Sequence, residues 1–390
     1  MPASLSRRAL LRNASAVAGG LLLTRSPRTG WAQQPASKDL IVHGQDPLNA
    51  EPALPHLVAS DITPLAHFYV RCHGPIPKVE EEGYRVRVEG LVARPLELSL
   101  AEVKDNPSRR LTATLTCAGN RRKEMSDIRL VSGVQWNAGA IGNATWTGAL
   151  LSAVLQAADI IPEAKHVWFD GLDPIKEKDG SVAPFGGSIP LARAMDKASP
   201  VLLAHAMNDQ PLSAQHGAPL RTIVPGYIGA RSVKWLTKIV VSDRPSPNHF
   251  VAEAYKLVQT DDKDEAAKAE PIYQFPLNAA ICSPAPGAMV KAGEVAVAGY
   301  ALPPGDGKTT IAKVEVSTDG GRTWKRAAVA EQAAANCWQL WKLAVRLPAG
   351  KHQLVARATD STGRTQPEKG DWNLKGYLYN GWHRCEVEVT

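Results

Sequence analysis

Among the five cysteines, Cys72, Cys117, Cys282, Cys337 and Cys385, no two stand in a Cys-x-x-Cys pair. That spacing marks zinc ribbons, thioredoxin-type couples and covalently attached c-type haem, so all three are disfavoured. Five is also an odd number, which leaves at least one thiol unpaired or paired with another chain. Long apolar runs are missing as well. The stretch Ala14 to Leu23 is too short for a bilayer core, which needs roughly 20 helical residues, so no membrane span is expected. No internal repeat or low-complexity tract occurs, and 44% apolar with 21% charged residues excludes intrinsic disorder and collagen-like repetition.

What the chain does have begins with a graded N-terminus. Ser6-Arg7-Arg8 and Arg12 precede the apolar stretch, and Gly30-Trp31-Ala32 follows it. Basic, apolar and small segments in that order read as a twin-arginine export leader over residues 1–32, directing the chain to the periplasm. A basic amphipathic surface helix fits that order less well. The 390 residues carry 45 Lys and Arg against 38 Asp and Glu, a formal +7. Five of those arginines and none of the acids lie in residues 1–32, so the remainder holds 40 against 38, or +2. Such a balance implies no nucleic-acid partner. Twin-arginine export carries folded chains, which fits a cofactor inserted beforehand.

The length suggests two domains. Upstream of residue 270, strand-like segments (Tyr84 to Leu91, Leu111 to Cys117) alternate with helical patterns (Thr147 to Ala158, Leu191 to Asp196), which reads as α+β. Asp261 to Glu270 is polar and reads as a loop or linker. Beyond it, Val295 to Ala301, Ile311 to Ser317, Trp338 to Val345 and Gln353 to Thr359 are short strands between turn signals such as Asp319-Gly320-Gly321. These predict an all-β immunoglobulin-like sandwich over residues 272–390, after a catalytic domain over 40–262.

The chemistry gathers in Cys117-Ala118-Gly119-Asn120-Arg121-Arg122. Leu111 to Thr116 alternates like a half-buried strand, and Ala-Gly-Asn lets the backbone turn just after the sulfur. Two arginines four and five residues on would stabilise a thiolate and draw an anion beside it. Taken alone, the pattern reads first as a buried free cysteine beside a surface basic cluster.

This loop closely resembles the molybdenum-binding loop of the sulfite oxidase family. The resemblance runs through Phe68 to Pro77, which contains Arg71-Cys72-His73; through Trp136, Gly139-Ala140-Ile141, Trp146 and Gly148; and through Asp170 to Asp173 and Ser188 to Leu191. His216 to Gly226 and Gly229 to Leu236 complete it. It implies a sulfite-oxidase-type molybdopterin-binding domain followed by a dimerisation domain, with one molybdenum–molybdopterin per chain. Cys117 would be the protein ligand of the metal. Arg71, His73, Asp173, His216, Arg221, Ser232 and Lys234 would hold the pterin and its phosphate. Arg221 and Lys234 suit a phosphate by forked and point-charge contacts.

The resemblance also places a substrate pocket. Arg71, Arg122, Trp136 and Tyr255 would wall a site for sulfite or a related small sulfur oxyanion, with forked donors and a hydroxyl of the kind a tetrahedral dianion needs. Where animal members carry Asn-Leu-Arg-Gly, this chain has Asn373-Leu374-Lys375-Gly376. Lys375 would keep the charge and lose the fork. The implied reaction is oxidation of sulfite to sulfate by oxygen-atom transfer. No haem is expected in this chain, so electrons would pass to a separate c-type cytochrome, and the chain would be a homodimer or pair with a cytochrome subunit. A periplasmic sulfane dehydrogenase of a thiosulfate-oxidising system is the alternative. Nitrate reduction is disfavoured by the leader, and a non-catalytic adhesion role leaves the Cys117 loop without a reason.

Overall fold

The structure, a computed structural model, describes residues 38–176, 180–260 and 263–390; the expected leader lies outside them. Among the described residues strands dominate, and the longest helices there, Arg122–Ile128 and Leu151–Ala157, have 7 residues each. Even the short helix Leu100–Asp105 needs its cap. Ser99 Oγ accepts from the Glu102 amide at 3.2 Å, and the Glu102 carboxylate accepts from the Ser99 amide at 2.8 Å.

Two sheets build the part before residue 250. In one, Gly186–Pro190, His166–Asp170, Lys238–Ser242, Arg85–Gly90 and Leu96–Ser99 lie in that order, with Lys238–Ser242 parallel to Arg85–Gly90. In the other, Gln210–Pro211, Leu202–Met207, Ile141–Leu150 and Ser108–Thr116 follow one another, and Arg221–Ile223 also pairs with Leu202–Met207. A small sheet of Leu40–Gln45, Leu48–Pro52 and Val70–Arg71 leads into the site. Towards the C-terminus lie a four-stranded sheet (Asn278–Ser283, Gly293–Leu302, Gln339–Leu347, Ala328–Val329) and a five-stranded one built on His383–Val389, Gly350–Asp360 and Ile311–Ser317. One apolar cluster, including Ile281, Val297, Trp341, Val316, Leu354 and Val387, draws on both, as the alternating burial of their strands requires.

Two local expectations need correcting. Thr147 to Ala158 is not one helix: the strand Ile141–Leu150 continues through Thr147 and Gly148, and only Leu151–Ala157 is helical. Gly148 faces Ala204 across the ladder, and a Cβ there would come within 2.2 Å of the Leu203 carbonyl oxygen, so tight strand packing overrides the helical pattern. Within the expected linker, Lys263–Lys268 forms a helical turn, in line with its Ala, Lys and Glu content.

The C-terminal sheets do not merely follow the rest of the chain. Tyr300 and Trp338 belong to the same core cluster as Val86, Leu155 and Phe169. The Trp338 amide donates to Thr114 Oγ1 at 2.9 Å and its indole to the Asp61 carbonyl at 3.1 Å. Arg121, fully buried, makes a forked pair with Glu124 at 2.7 and 2.6 Å and donates to Asn278 Oδ1 at 2.7 Å. All five cysteines are free and buried.

Burial opposes ionisation of Glu124, but the Arg121 charge and its hydrogen bonds hold the carboxyl below its ordinary 4.5. Replacing Arg121 by Ala leaves a carboxylate and an amide without their donor and is expected to lower the unfolding free energy by about 3 kcal/mol. The denaturant midpoint measures it at neutral pH. Because the folded-state pKa is depressed, the difference from wild type shrinks as pH falls below 4.5.

Candidate active site

The strand Ser108–Thr116 delivers Cys117 at its end, where the Cys117 amide donates to the Ala140 carbonyl at 2.9 Å. The chain then turns, with the Asn120 amide returning to the Cys117 carbonyl at 3.0 Å and Arg121 in the left-handed region at φ 66°. Sγ accepts from the Gly119 amide at 3.4 Å, and the residue is 7% exposed, on the wall of a cleft.

The two arginines of this turn part company. Arg121 is committed to Glu124 and Asn278, so the expectation that it steadies the thiol is corrected. Arg122 stays beside the turn. Its Nε donates to the Lys375 carbonyl at 3.0 Å and Nη1 to the Val134 carbonyl at 2.9 Å. A Cβ on Gly119 would come within 2.5 Å of its Nη2, and one on Gly376 within 2.7 Å of its Cγ. Glycine is therefore required at both positions for the guanidinium to lie this close to the backbone.

Arg71, His73, Cys117, Asp173, His216, Arg221, Ser232, Lys234 and Tyr255 all line one cleft, with about 670 Å³ of empty space reaching out to solvent. Arg71 donates to Asn49 Oδ1 at 3.0 Å and to the Cys72 carbonyl. Arg221 donates to the carbonyls of His216 at 2.9 Å and Ser232 at 3.0 Å. Lys234 Nζ donates to the Gln215 carbonyl at 2.9 Å and to Cys72 Sγ at 3.1 Å. Ser232 Oγ accepts from the Val224 amide at 3.0 Å, and Asp173 accepts from the Phe185 amide at 3.3 Å. Tyr255, at φ 50°, hydrogen-bonds His73 Nε2 through its hydroxyl at 2.8 Å.

Three expected pocket residues stand apart from this lining, the first being Arg122, which is held beside the turn by the Lys375 and Val134 carbonyls. Trp136 is fully buried, edge-on to His43 at 5.0 Å, and its indole nitrogen has no hydrogen-bond partner among the described residues. Lys375 is a correction: its side chain is exposed and only its carbonyl reaches Arg122, because the backbone of that turn faces inward. Conversely, Tyr69, Cys72 and Gln215 line the cleft without having been singled out for it. Their signal was adjacency, since Cys72 lies between Arg71 and His73, and Gln215 precedes His216 in a 3-10 turn.

Burial sets the protonation states. It pushes His216 down to about 3, helped by the Arg221 and Lys234 charges, and holds His73 well below its ordinary 6.5, helped by Arg71 and Lys234. Both imidazoles are neutral near pH 7. Burial also lowers Arg221 to about 10 and lowers Lys234, whose ammonium is supported by Cys72 and Asp173. It raises the Tyr255 phenol, which keeps its proton.

The cleft is thus rich in donors and poor in acceptors. His216 Nε2 and Gln215 Oε1 are buried without partners among the described residues, so a polar ligand is needed to satisfy them. Among the same residues, no three His, Cys, Asp or Glu side chains are grouped to hold a metal. A metal at Cys117 would therefore take most of its ligands from a non-protein group. A molybdenum–molybdopterin fits: soft sulfur at the wall, neutral imidazoles and an amide for the heterocycle, and guanidinium and ammonium groups for a phosphate.

A family model described as an oxidoreductase molybdopterin binding domain matches residues 73–250, and one described as a Mo-co oxidoreductase dimerisation domain matches residues 269–390. Mitochondrial sulfite oxidase of Drosophila melanogaster is 40% identical over 381 residues, covering 92% of this chain and 65% of that protein. The chain thus spans about two thirds of that relative's length. Sulfite oxidase of Gallus gallus is 42% identical over 387 residues, covering 94% of this chain and 83% of that protein. The sulfane dehydrogenase SoxCD from Paracoccus pantotrophus superposes with a TM-score of 0.74 at 25% identity, covering 92% of this chain and 86% of that one.

The depressed histidines make a pH prediction. Between pH 6.5 and about 3 the unfolded chain takes up protons that His73 and His216 refuse in the fold, so stability falls as pH falls through that window. Urea midpoints of cofactor-free protein should drop across it, and His216→Gln should flatten the drop.

Proposed function

Because the chain belongs to the sulfite oxidase family of oxidoreductases acting on sulfur compounds, we propose that it oxidises sulfite to sulfate at the Cys117 cleft. One observation carries the reading: the Cys117 thiol, the Tyr255 phenol and a set of cations without carboxylate ion pairs converge on one cleft that retains unsatisfied polar atoms. Cys117 would hold the metal. His73, Asp173, His216, Arg221, Ser232 and Lys234 would hold the pterin and its phosphate, with Arg71 shared between cofactor and substrate.

The balance is sulfite plus water to sulfate, two protons and two electrons. The molybdenum–pterin group, when bound, supplies the oxygen-atom transfer and takes up the electrons. The chain's own residues bind and orient. Arg71 and Arg122 draw the dianion in, and the Tyr255 hydroxyl donates to an oxyanion oxygen while His73, neutral and hydrogen-bonded to it, fixes its direction. Trp136, packed behind the cysteine turn, supports the pocket from the interior. Residues 40–262 form the catalytic domain, and residues 272–390 an immunoglobulin-like sandwich through which two chains associate. Residues 1–32 are a twin-arginine leader to the periplasm, where a c-type cytochrome takes the electrons one at a time. The resemblance to SoxCD keeps a second reading in play, oxidation of sulfane sulfur.

Metal analysis and an assay of sulfite-dependent cytochrome c reduction test this directly. The matured protein should contain one molybdenum per chain and reduce cytochrome c with sulfite, and Cys117→Ser should abolish turnover. Tyr255→Phe should lower kcat/KM by about 100-fold, the scale of one lost oxyanion donor. Absence of molybdenum would sink the cofactor assignment, and turnover of a sulfane substrate in place of sulfite would favour the second reading.

A further inference from the structure

Tyr255 reaches the cleft from a left-handed backbone position, with its hydroxyl tied to His73. The face of its ring rests on Tyr377, with centroids 5.0 Å apart and planes 19° from parallel. The Arg122 guanidinium lies over the same Tyr377 ring, 5.3 Å from its centroid. One side chain from the C-terminal part of the chain therefore backs both the phenol and the cation.

Its turn is built to hold it there. The Asn373 side chain binds both backbone groups of Tyr377, accepting from its amide at 2.9 Å and donating to its carbonyl at 2.7 Å. The Leu374 amide donates to the Val258 carbonyl, three residues past Tyr255, and the Leu378 amide to the Ala118 carbonyl, next to Cys117. Gly376, at φ 65°, supplies the turn. The segment 373–378 is thus pinned on one side to the segment that follows Tyr255 and on the other to the cysteine turn. Burial raises the Tyr377 phenol, with Arg122, Cys117 and Arg71 among the charges it feels.

We propose that Tyr377 is a positioning residue of the anion pocket, fixing the Tyr255 ring by stacking and the Arg122 guanidinium by cation–π attraction. The inference deepens the sulfite reading and rests on it for the identity of the anion. A stacked ring and a guanidinium over its face together are worth about a factor of ten in anion binding when both are lost.

The test compares Tyr377→Phe, Tyr377→Leu and Asn373→Ala in molybdenum-loaded protein, with sulfate binding by calorimetry beside sulfite kinetics. Tyr377→Phe keeps the ring and should match wild type within threefold. Tyr377→Leu should raise KM for sulfite and Kd for sulfate about tenfold with a smaller change in kcat. Asn373→Ala, which releases the turn without touching the pocket, should shift both constants the same way. Unchanged sulfate Kd in both Tyr377→Leu and Asn373→Ala overturns the proposal, as does a Phe variant as weak as Leu. If Tyr377→Leu does not fold, Asn373→Ala and Tyr377→Phe decide. Wild-type protein that binds sulfate but does not oxidise sulfite defeats the functional reading alone.

Discussion

Positive charge without carboxylate ion pairs is the constraint around which the cleft is built. Arg71, Arg122, Arg221, Arg231 and Lys234 crowd one largely dry region, and none has an Asp or Glu oxygen within ion-pair distance among the described residues. Isolated buried charges are expensive, so each must be paid down by dipoles. Main-chain carbonyls do this for Arg122, for Arg221, for Arg231 through Ile272 and Phe250, and for Lys234. Aromatic faces contribute the rest, with Trp146 under Arg221 at 5.1 Å and Tyr273 under Arg231 at 5.5 Å. A carboxylate for each cation would have neutralised the site; with Asp173 alone of that kind in the lining, carbonyls and rings leave a net positive charge for an anion.

That solution dictates the loops. A carbonyl can serve a guanidinium only where it is free of a ladder, so the donors converge on turns and 3-10 segments such as Ala214–His216 and Gly229–Arg231. It also explains why distant parts of the chain meet here. Lys375 and Tyr377 come from the loop between the strands Gly350–Asp360 and His383–Val389, and Arg121 sends its own charge back into the C-terminal sheets. The cysteine turn is consequently held from both sides, and the two sheet systems form a common interior around Tyr300 and Trp338.

Local chemistry was readable where it depended on local geometry. The alternation from Leu111 to Thr116 and the small residues after Cys117 announced a sulfur at a strand end, and that is where it lies. The order of motifs brought nine residues to one cleft. Arg121 and Arg122 are adjacent and chemically identical, and partners as far as 157 and 253 positions away help to separate their fates. Lys375 misled for a related reason: the residue type argued for a side-chain role, while the turn at Gly376 presents its backbone. Tyr377 carried no signal of its own, since stacking on Tyr255 is a property of how two remote turns meet.

The five unpaired thiols have a consequence for how the molecule is made. Cys282, Cys337 and Cys385 are buried, and burial raises all three, Cys337 to about 12 and Cys385 to about 11, so almost no thiolate is available for exchange. A chain of this kind needs no oxidant, no isomerase and no pairing search to reach its final covalent state. It can be completed under reducing conditions and then stand in oxidising ones with its bonds unchanged, the burial of its sulfurs acting as its own preservative.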